Sequence, residues 1–260
     1  MKISLGISYD GTPFFGWQSQ LDKSGVQDAL ELAIARIAQH AIRVHAAGRT
    51  DTGVHALGQV VHFEAQVERP LSAWVRGVNA HLPSTVRVQW AREVADDFHA
   101  RFSARSRSYQ YVLYNAPVES ALMADHAGWY HLPLDIAAMQ EAMRYLVGEH
   151  DFSAFRAAQC QAKSPIRTIT KAEVHQEGRY FIFDFSANAF LHHQVRNMIG
   201  ALIYIGKGAH PPSYIQDLLQ KRNRILSPPT FSPKGLYLTS VSYDAKWGLP
   251  DLPEKLTVLL

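Results

Sequence analysis

Residues 167–205 read RTITKAEVHQEGRYFIFDFSANAFLHHQVRNMIGALIYI. Two strand-like segments, about 167–175 and 179–187, meet at the turn pair Glu177-Gly178. Residues 190–205 then read as a helix, so the unit is strand, turn, strand, helix. An antiparallel hairpin followed by a helix belongs to the α+β class. Working outward, a second helix is expected at about 212–221 and a last strand at about 236–243. Upstream, Tyr109, Tyr111 and Leu113 alternate as a strand, and Asp135 can cap a helix whose apolar face is Ile136, Met139, Met143 and Leu146.

The first hundred residues follow the same plan. Ile3, Leu5, Ile7 and Tyr9 alternate with period 2, and Gly11-Thr12-Pro13 ends the strand. Ser24-Gly25-Val26-Gln27 reads as a capping box, followed at helical spacing by Val26, Leu30, Ile34 and Ile37. Strands are expected at 59–65 and 86–94, with a helix at 71–80. Two α+β lobes of related design, sharing an extended sheet, account for this order. The lobes are placed at 1–103 and 104–260, with no sequence repeat between them.

The 260 residues are 47% hydrophobic and 19% charged, which excludes a disordered chain. The longest plainly apolar run, Met198 to Ile205, is far short of the roughly 18 residues of a membrane span. The start, MKISLGISYDG, reads as a strand rather than a signal peptide. The single Cys160 excludes an internal disulfide and a zinc framework, so a reducing cytoplasm is expected. Cys160 has no obvious activating base beside it and reads as structural.

The net charge of +3 is unevenly spread. Residues 1–103 carry ten Lys/Arg and ten Asp/Glu, and residues 104–260 carry sixteen and thirteen. Segments 98–118, 152–172, 185–216 and 218–243 lack any acid. They hold basic residues interleaved with Tyr, Phe and His, a composition suited to a polyanion with exposed bases.

The segment Ala47-Gly48-Arg49-Thr50-Asp51-Thr52-Gly53-Val54-His55-Ala56 joins the first helix to the strand at 59–65. Its glycines free the backbone on both sides of one carboxylate, and Thr50 and Thr52 can bond locally to fix its direction. By itself such a loop either presents an ionised acid or forms a turn in which Asp51 satisfies backbone amides.

With GRTDTGVHA stand YDGTPFFGWQSQ, RSRSYQYVLYN, EHDFSAFRAAQCQAKSPIRTI, FLHHQVRNMIG and FSPKGLYLTSVSY, in that order along nearly the whole chain. On these motifs the sequence resembles the tRNA pseudouridine synthase A family (TruA type). The resemblance implies two ferredoxin-like lobes on a mainly antiparallel sheet, with the active site in the cleft between them. It implies isomerisation of uridine to pseudouridine at positions 38 to 40 of the tRNA anticodon stem-loop, by a homodimer without cofactor or metal.

Residue by residue, Asp51 matches the family's catalytic aspartate. Arg196 matches the arginine of its VRN motif, the implied ion-pair partner of that aspartate. Tyr109 matches the active-site tyrosine, with Tyr111 and Tyr114 read as core. Leu236 or Leu238 in GLYL is expected to wall the uracil, and Arg49 to hold open the space of a base that has left the stem. Gln18, Arg101, Arg105, Arg107, Lys163 and Arg167 are further candidates for the RNA backbone. Gln194 stands where an apolar residue is expected.

Two rival readings use the same residues. A non-catalytic RNA-binding protein would share the charge and the aromatics. An aspartate-dependent hydrolase needs a second carboxylate, base or metal cluster, and neither His192-His193 nor His55 and His62 has ligand spacing.

Overall fold

A computed structural model describes residues 1–250. In chain order the elements are β1 (Lys2–Tyr9), α1 (Val26–Ala38), β2 (His45–Ala46), β3 (His55–Glu64), a π-helical turn (Ala73–Gly77), β4 (Val86–Val94), β5 (Ala104–Asn115) and β6 (Gly128–Tyr130). They continue with α2 (Ile136–Arg144), β7 (Gly148–Asp151), β8 (Ile166–Glu177), β9 (Tyr180–Ala187), α3 (Gln194–Gly206), α4 (Tyr214–Lys221) and β10 (Leu236–Tyr243). The protein is of the mixed α+β class. The described residues form two compact units, 1–106 with 237–250, and Arg107–Leu236. The contiguous division at 103/104 therefore needs correction. The last strand, expected in the second lobe, pairs in parallel with β3 of the first unit (Tyr237 with His55, Leu238 with Ala56). That pairing is long-range and has no local signal.

In the first unit the strand order is β4-β1-β3-β10, with β2 beside β3. β1 is antiparallel to both neighbours, Leu5 lying opposite Val61 on β3 and Ala91 on β4. Both faces of β1 are buried, with Ile3, Leu5 and Ile7 at 0% exposure on one and Ser4 at 0% on the other. Leu30 and Ile34 of α1 and Trp74 of the π-helical turn complete the core, Trp74 meeting Phe63 edge to face at 5.3 Å.

The N-terminus of α1 lies one residue beyond the expected box. Gly25 is the N-cap, and Asp28 at the third helical position accepts its N–H at 3.1 Å. Ser24 instead donates to Asp22 at 2.6 Å. The buried Asp28 carboxylate also accepts from Ser19 Oγ (2.6 Å) and Gln20 N (3.1 Å), with Lys23 Nζ at 3.4 Å. It thereby fastens the loop 15–25 to the helix. Burial alone would raise its pKa, but the Ser19, Gln20 and Gly25 donors and Lys23 outweigh burial and hold it below the usual carboxylate range. Asp28→Ala should lower stability at neutral pH by about 1–3 kcal/mol, because buried donors lose their acceptor. A carboxyl depressed in the folded state stabilises at neutral pH, and that stabilisation is lost as pH falls through the folded-state value. Urea unfolding of parent and variant over a descending pH series checks this. A gap between the two that stayed constant with pH would contradict it.

In the second unit the order is β5-β9-β8-β7, with β6 parallel to β5. β8 and β9 form the expected hairpin, closed by Gly178 at φ +57°. Asp135 caps α2 as expected, accepting from Ala137 N (2.8 Å) and Ala138 N (3.2 Å). α3 begins at Gln194 rather than 190, since His193 takes the left-handed conformation (φ +62°) and breaks the helical path. α3 is buried along most of its length and packs with α2 over the sheet. Among the described residues no helix is long and apolar enough to cross a membrane.

Candidate active site

Asp51 sits in the first unit on the loop between β2 and β3, half-buried, beside the exposed Arg49. The backbone around it is held from several sides. Val54 N donates to Asp51 O at 3.1 Å and closes a tight turn, in which Gly53 takes φ +76°. Thr50 O accepts from Trp17 N at 3.0 Å, and Thr50 Oγ1 shares a 2.8 Å hydrogen bond with Tyr9 OH. The Thr50 hydroxyl was expected to bond within its own loop, and it bonds across to β1 instead. Gln59 of β3 donates to Gly48 O at 2.7 Å.

The segment 11–17 packs onto this loop with no room to spare. A Cβ on Gly11 would lie 2.1 Å from Val54 O, and one on Gly16 2.9 Å from Thr50 O. Gly11 N also donates to His55 Nδ1 at 3.0 Å. The motif YDGTPFFGWQ is thus a backbone template for GRTDTGVHA. Sequence reasoning singled out both motifs but missed Tyr9, Trp17 and Gln59 as partners of the loop. Tyr9 and Gln59 occupy strand positions that read as ordinary core.

Tyr109, Arg196 and Leu236 lie in the second unit, and Leu238 in the first. Tyr109 of β5 stands opposite Phe185 of β9, half-buried, its ring meeting Phe190 edge to face at 5.1 Å. Tyr111 is fully buried and donates to Ser232 O at 2.9 Å, as a core tyrosine should. Tyr114 is only half-buried, against the expectation of a core position, because it packs on Tyr180 near the sheet margin and meets Arg179 at 3.4 Å. Arg196 is half-buried on α3, and its Nε donates to Phe231 O at 2.9 Å, while Phe231 N donates back to Arg196 O. This ties α3 to the segment that leads into Leu236. Of the two leucines, Leu238 is fully enclosed in its pairing with Ala56 of the first unit, and Leu236 keeps 6% exposure.

Several basic residues of the acid-free segments bond within the protein. Arg156 donates to Cys160 O (2.8 Å) and Ala162 O (2.7 Å), and Arg167 to Ser164 O (3.0 Å), so both brace the 160–166 loop. Arg224 reaches Asn197 Oδ1 and Thr230 Oγ1, each at 3.1 Å. Arg105 pairs with Asp244 at 3.1 Å, and Arg107 donates to Asn188 O at 3.0 Å. Gln18, Arg49, Arg101 and Lys163 are exposed. Burial pushes the Cys160 thiol up, but backbone bonds at Ala162 and His192 and the Arg156 guanidinium outweigh it and hold the thiol below its usual value. That environment is assembled by loop folding and has no sequence signal.

His192 and His193 precede α3 instead of projecting from it, and their rings lie 3.9 Å apart. His62, on β3, is packed between His45 (5.1 Å) and His99 (4.6 Å), and its Nδ1 accepts Ala100 N at 3.1 Å. Burial, with His99, His45 and Lys2 nearby, pushes it down to about 3, so it stays neutral. Gln194 is buried because its Oε1 accepts Leu191 N at 2.8 Å and secures the entry to α3, a task no apolar residue could perform.

The family model of tRNA pseudouridine synthase matches residues 7–103 and 142–244. The tRNA pseudouridine synthase A of Methylobacillus flagellatus is 63% identical over 258 residues, covering 99% of each chain. Those of Dechloromonas aromatica (96% of each chain) and Nitrosomonas eutropha (96% of this chain, 90% of that one) are each 58% identical.

Proposed function

The chain belongs to the tRNA pseudouridine synthase family, and from that premise we propose that it isomerises uridine to pseudouridine at positions 38 to 40 of the tRNA anticodon stem-loop. The observation that carries the reading is the half-exposed Asp51 on a backbone braced by Tyr9, Trp17 and Gln59. In the reaction the N1–C1′ bond breaks, the uracil turns, and C5 bonds to C1′. C5 then loses its proton and N1 carries one, so product and substrate have the same atoms. C1′ develops oxocarbenium character, as in glycoside cleavage. A carboxylate beside it serves as nucleophile at C1′ or as base toward a sugar proton. A non-catalytic RNA-binding protein has no need of so constrained a carboxylate.

Tyr109 offers an aromatic face to the uracil and Leu236 an apolar wall. Arg196 is the cation assigned to the carboxylate by resemblance, and Arg49 fills the space of the extruded base. The substrate and the lone cysteine both fit a cytoplasmic enzyme. The basic excess is modest, so a homodimer supplies the polyanion surface that one chain lacks.

If about five phosphates are neutralised, log K for tRNA should fall with log salt at a slope of a few units. Lys163→Gln should flatten that slope by up to about one unit. Arg105→Gln should flatten it less, because Asp244 already neutralises that charge. Tyr109→Phe removes no charge and should leave the slope unchanged. Filter binding across a salt series, with mass followed by sedimentation, checks both points. A salt-independent affinity, or full activity from a strict monomer, contradicts the reading.

A further inference from the structure

The loop that carries Asp51 is gripped at Gly48 and Thr50 by groups outside the loop. Tyr9, the last residue of β1, is 4% exposed, and its hydroxyl lies 2.8 Å from Thr50 Oγ1. The same phenol bonds with the side chain of Gln59, which is 0% exposed. Gln59 holds both polar atoms of Gly48, donating to its O at 2.7 Å and accepting its N–H at 3.4 Å. The Tyr9 ring lies 6.0 Å from that of Trp17, and the backbone N–H of Trp17 donates to the Thr50 carbonyl at 3.0 Å. Burying a hydroxyl is unfavourable unless it is bonded. A phenylalanine would fill the same space without that cost, so the oxygen of Tyr9 is there for Thr50 and Gln59.

We propose that Tyr9 is a positioning residue for the isomerisation: through Thr50 and Gln59 its hydroxyl fixes the direction in which the Asp51 carboxylate meets the sugar. The inference rests on Asp51 as the reacting group. Tyr9 does not itself move a proton to the substrate. Burial, only partly offset by the Thr50 and Gln59 bonds, pushes the phenol up to about 12, so it remains a protonated donor across the working pH range. Enclosed as it is, it touches no substrate. Its loss therefore acts on the chemical step and not on binding.

The experiment measures kcat and KM with tRNA for Tyr9→Phe, Thr50→Val, Thr50→Ser, the double Tyr9→Phe/Thr50→Val and Asp51→Asn. An error of about 1 Å in a reacting group costs on the order of a hundredfold. Tyr9→Phe is expected to lose about tenfold to a hundredfold in kcat, with KM within about threefold and the shape of the pH profile unchanged. Thr50→Val should match it, Thr50→Ser should recover most of the activity, and the double variant should be little worse than either single one, because all interrupt one network. Tyr243→Phe, which removes another phenol of the same unit, from Ala100 O at 2.7 Å, should leave kcat unchanged. If Tyr9→Phe keeps kcat within about twofold of the parent while Asp51→Asn is inactive, the positioning role is wrong. If Asp51→Asn turns over, the reading beneath it is wrong instead. Should Tyr9→Phe fail to fold, the Thr50→Ser and Thr50→Val pair decides: equal activities overturn the proposal.

Discussion

Asp51→Asn is expected to abolish pseudouridine formation while tRNA affinity stays within about tenfold of the parent, roughly 1.4 kcal/mol. The two effects should separate because the proposed reaction asks only the Asp51 carboxylate to react at C1′, whereas the proposed tRNA contacts fall on several exposed cations, among them Arg49, Arg101 and Lys163. Asparagine keeps the size of the side chain and the turn closed by Val54 N and Asp51 O, so the loop survives the substitution. What disappears is a negative charge facing a carbon that becomes cationic in the transition state. Turnover is read as pseudouridine per tRNA, and affinity by filter binding. Substantial turnover by the variant would remove Asp51 from its role.

Gly16→Ala should cost at least about a hundredfold in kcat although residue 16 is buried and carries no side chain. Gly16 adopts φ +79°, a conformation that alanine enters only with strain. An added Cβ would stand 2.9 Å from Thr50 O, 3.1 Å from Thr52 N and 3.2 Å from the Asp51 carbonyl carbon. These are backbone atoms and cannot swing aside. The relief has to come from moving the Asp51 loop or the 11–17 segment, and either displaces the carboxylate. Overpacking of this kind also lowers stability by about 1–3 kcal/mol. Turnover and urea unfolding on one preparation check both effects. A variant that is less stable yet fully active would show that the 11–17 segment does not template the loop.

Period-2 alternation in Ile3 to Tyr9 and in Tyr109 to Leu113 made β1 and β5 readable, because side-chain direction in a strand is fixed by local geometry alone. Asp135 was readable as a cap for the same local reason. What escaped depends on distant chain. β3 begins at His55, four residues before the expected start at 59, because β10 arrives in parallel beside His55 and Ala56. The cap of α1 moved to Gly25 because Asp28 answers to Ser19 and Gln20 as well as to the helix. The helix at 190–205 lost its first turn to the left-handed His193. In the site, Asp51 and Arg49 stood out through their motif, while Tyr9 and Gln59 were hidden by looking like core. Arg156, Arg167 and Arg224, all in acid-free segments, donate to backbone carbonyls of their own unit, and no local sequence pattern marks those bonds.

The central claim is that this chain, with Asp51, converts uridine to pseudouridine in the anticodon stem-loop. The most direct measurement incubates the purified protein and its Asp51→Asn variant with unmodified tRNA transcripts carrying tritium at uridine C5. Forming the C5–C1′ bond expels that hydrogen, so the parent is predicted to release tritium to water, with pseudouridine mapping to positions 38 to 40 and none formed by the variant. No tritium release by the parent, or release matched to pseudouridine only outside those positions, would contradict the account.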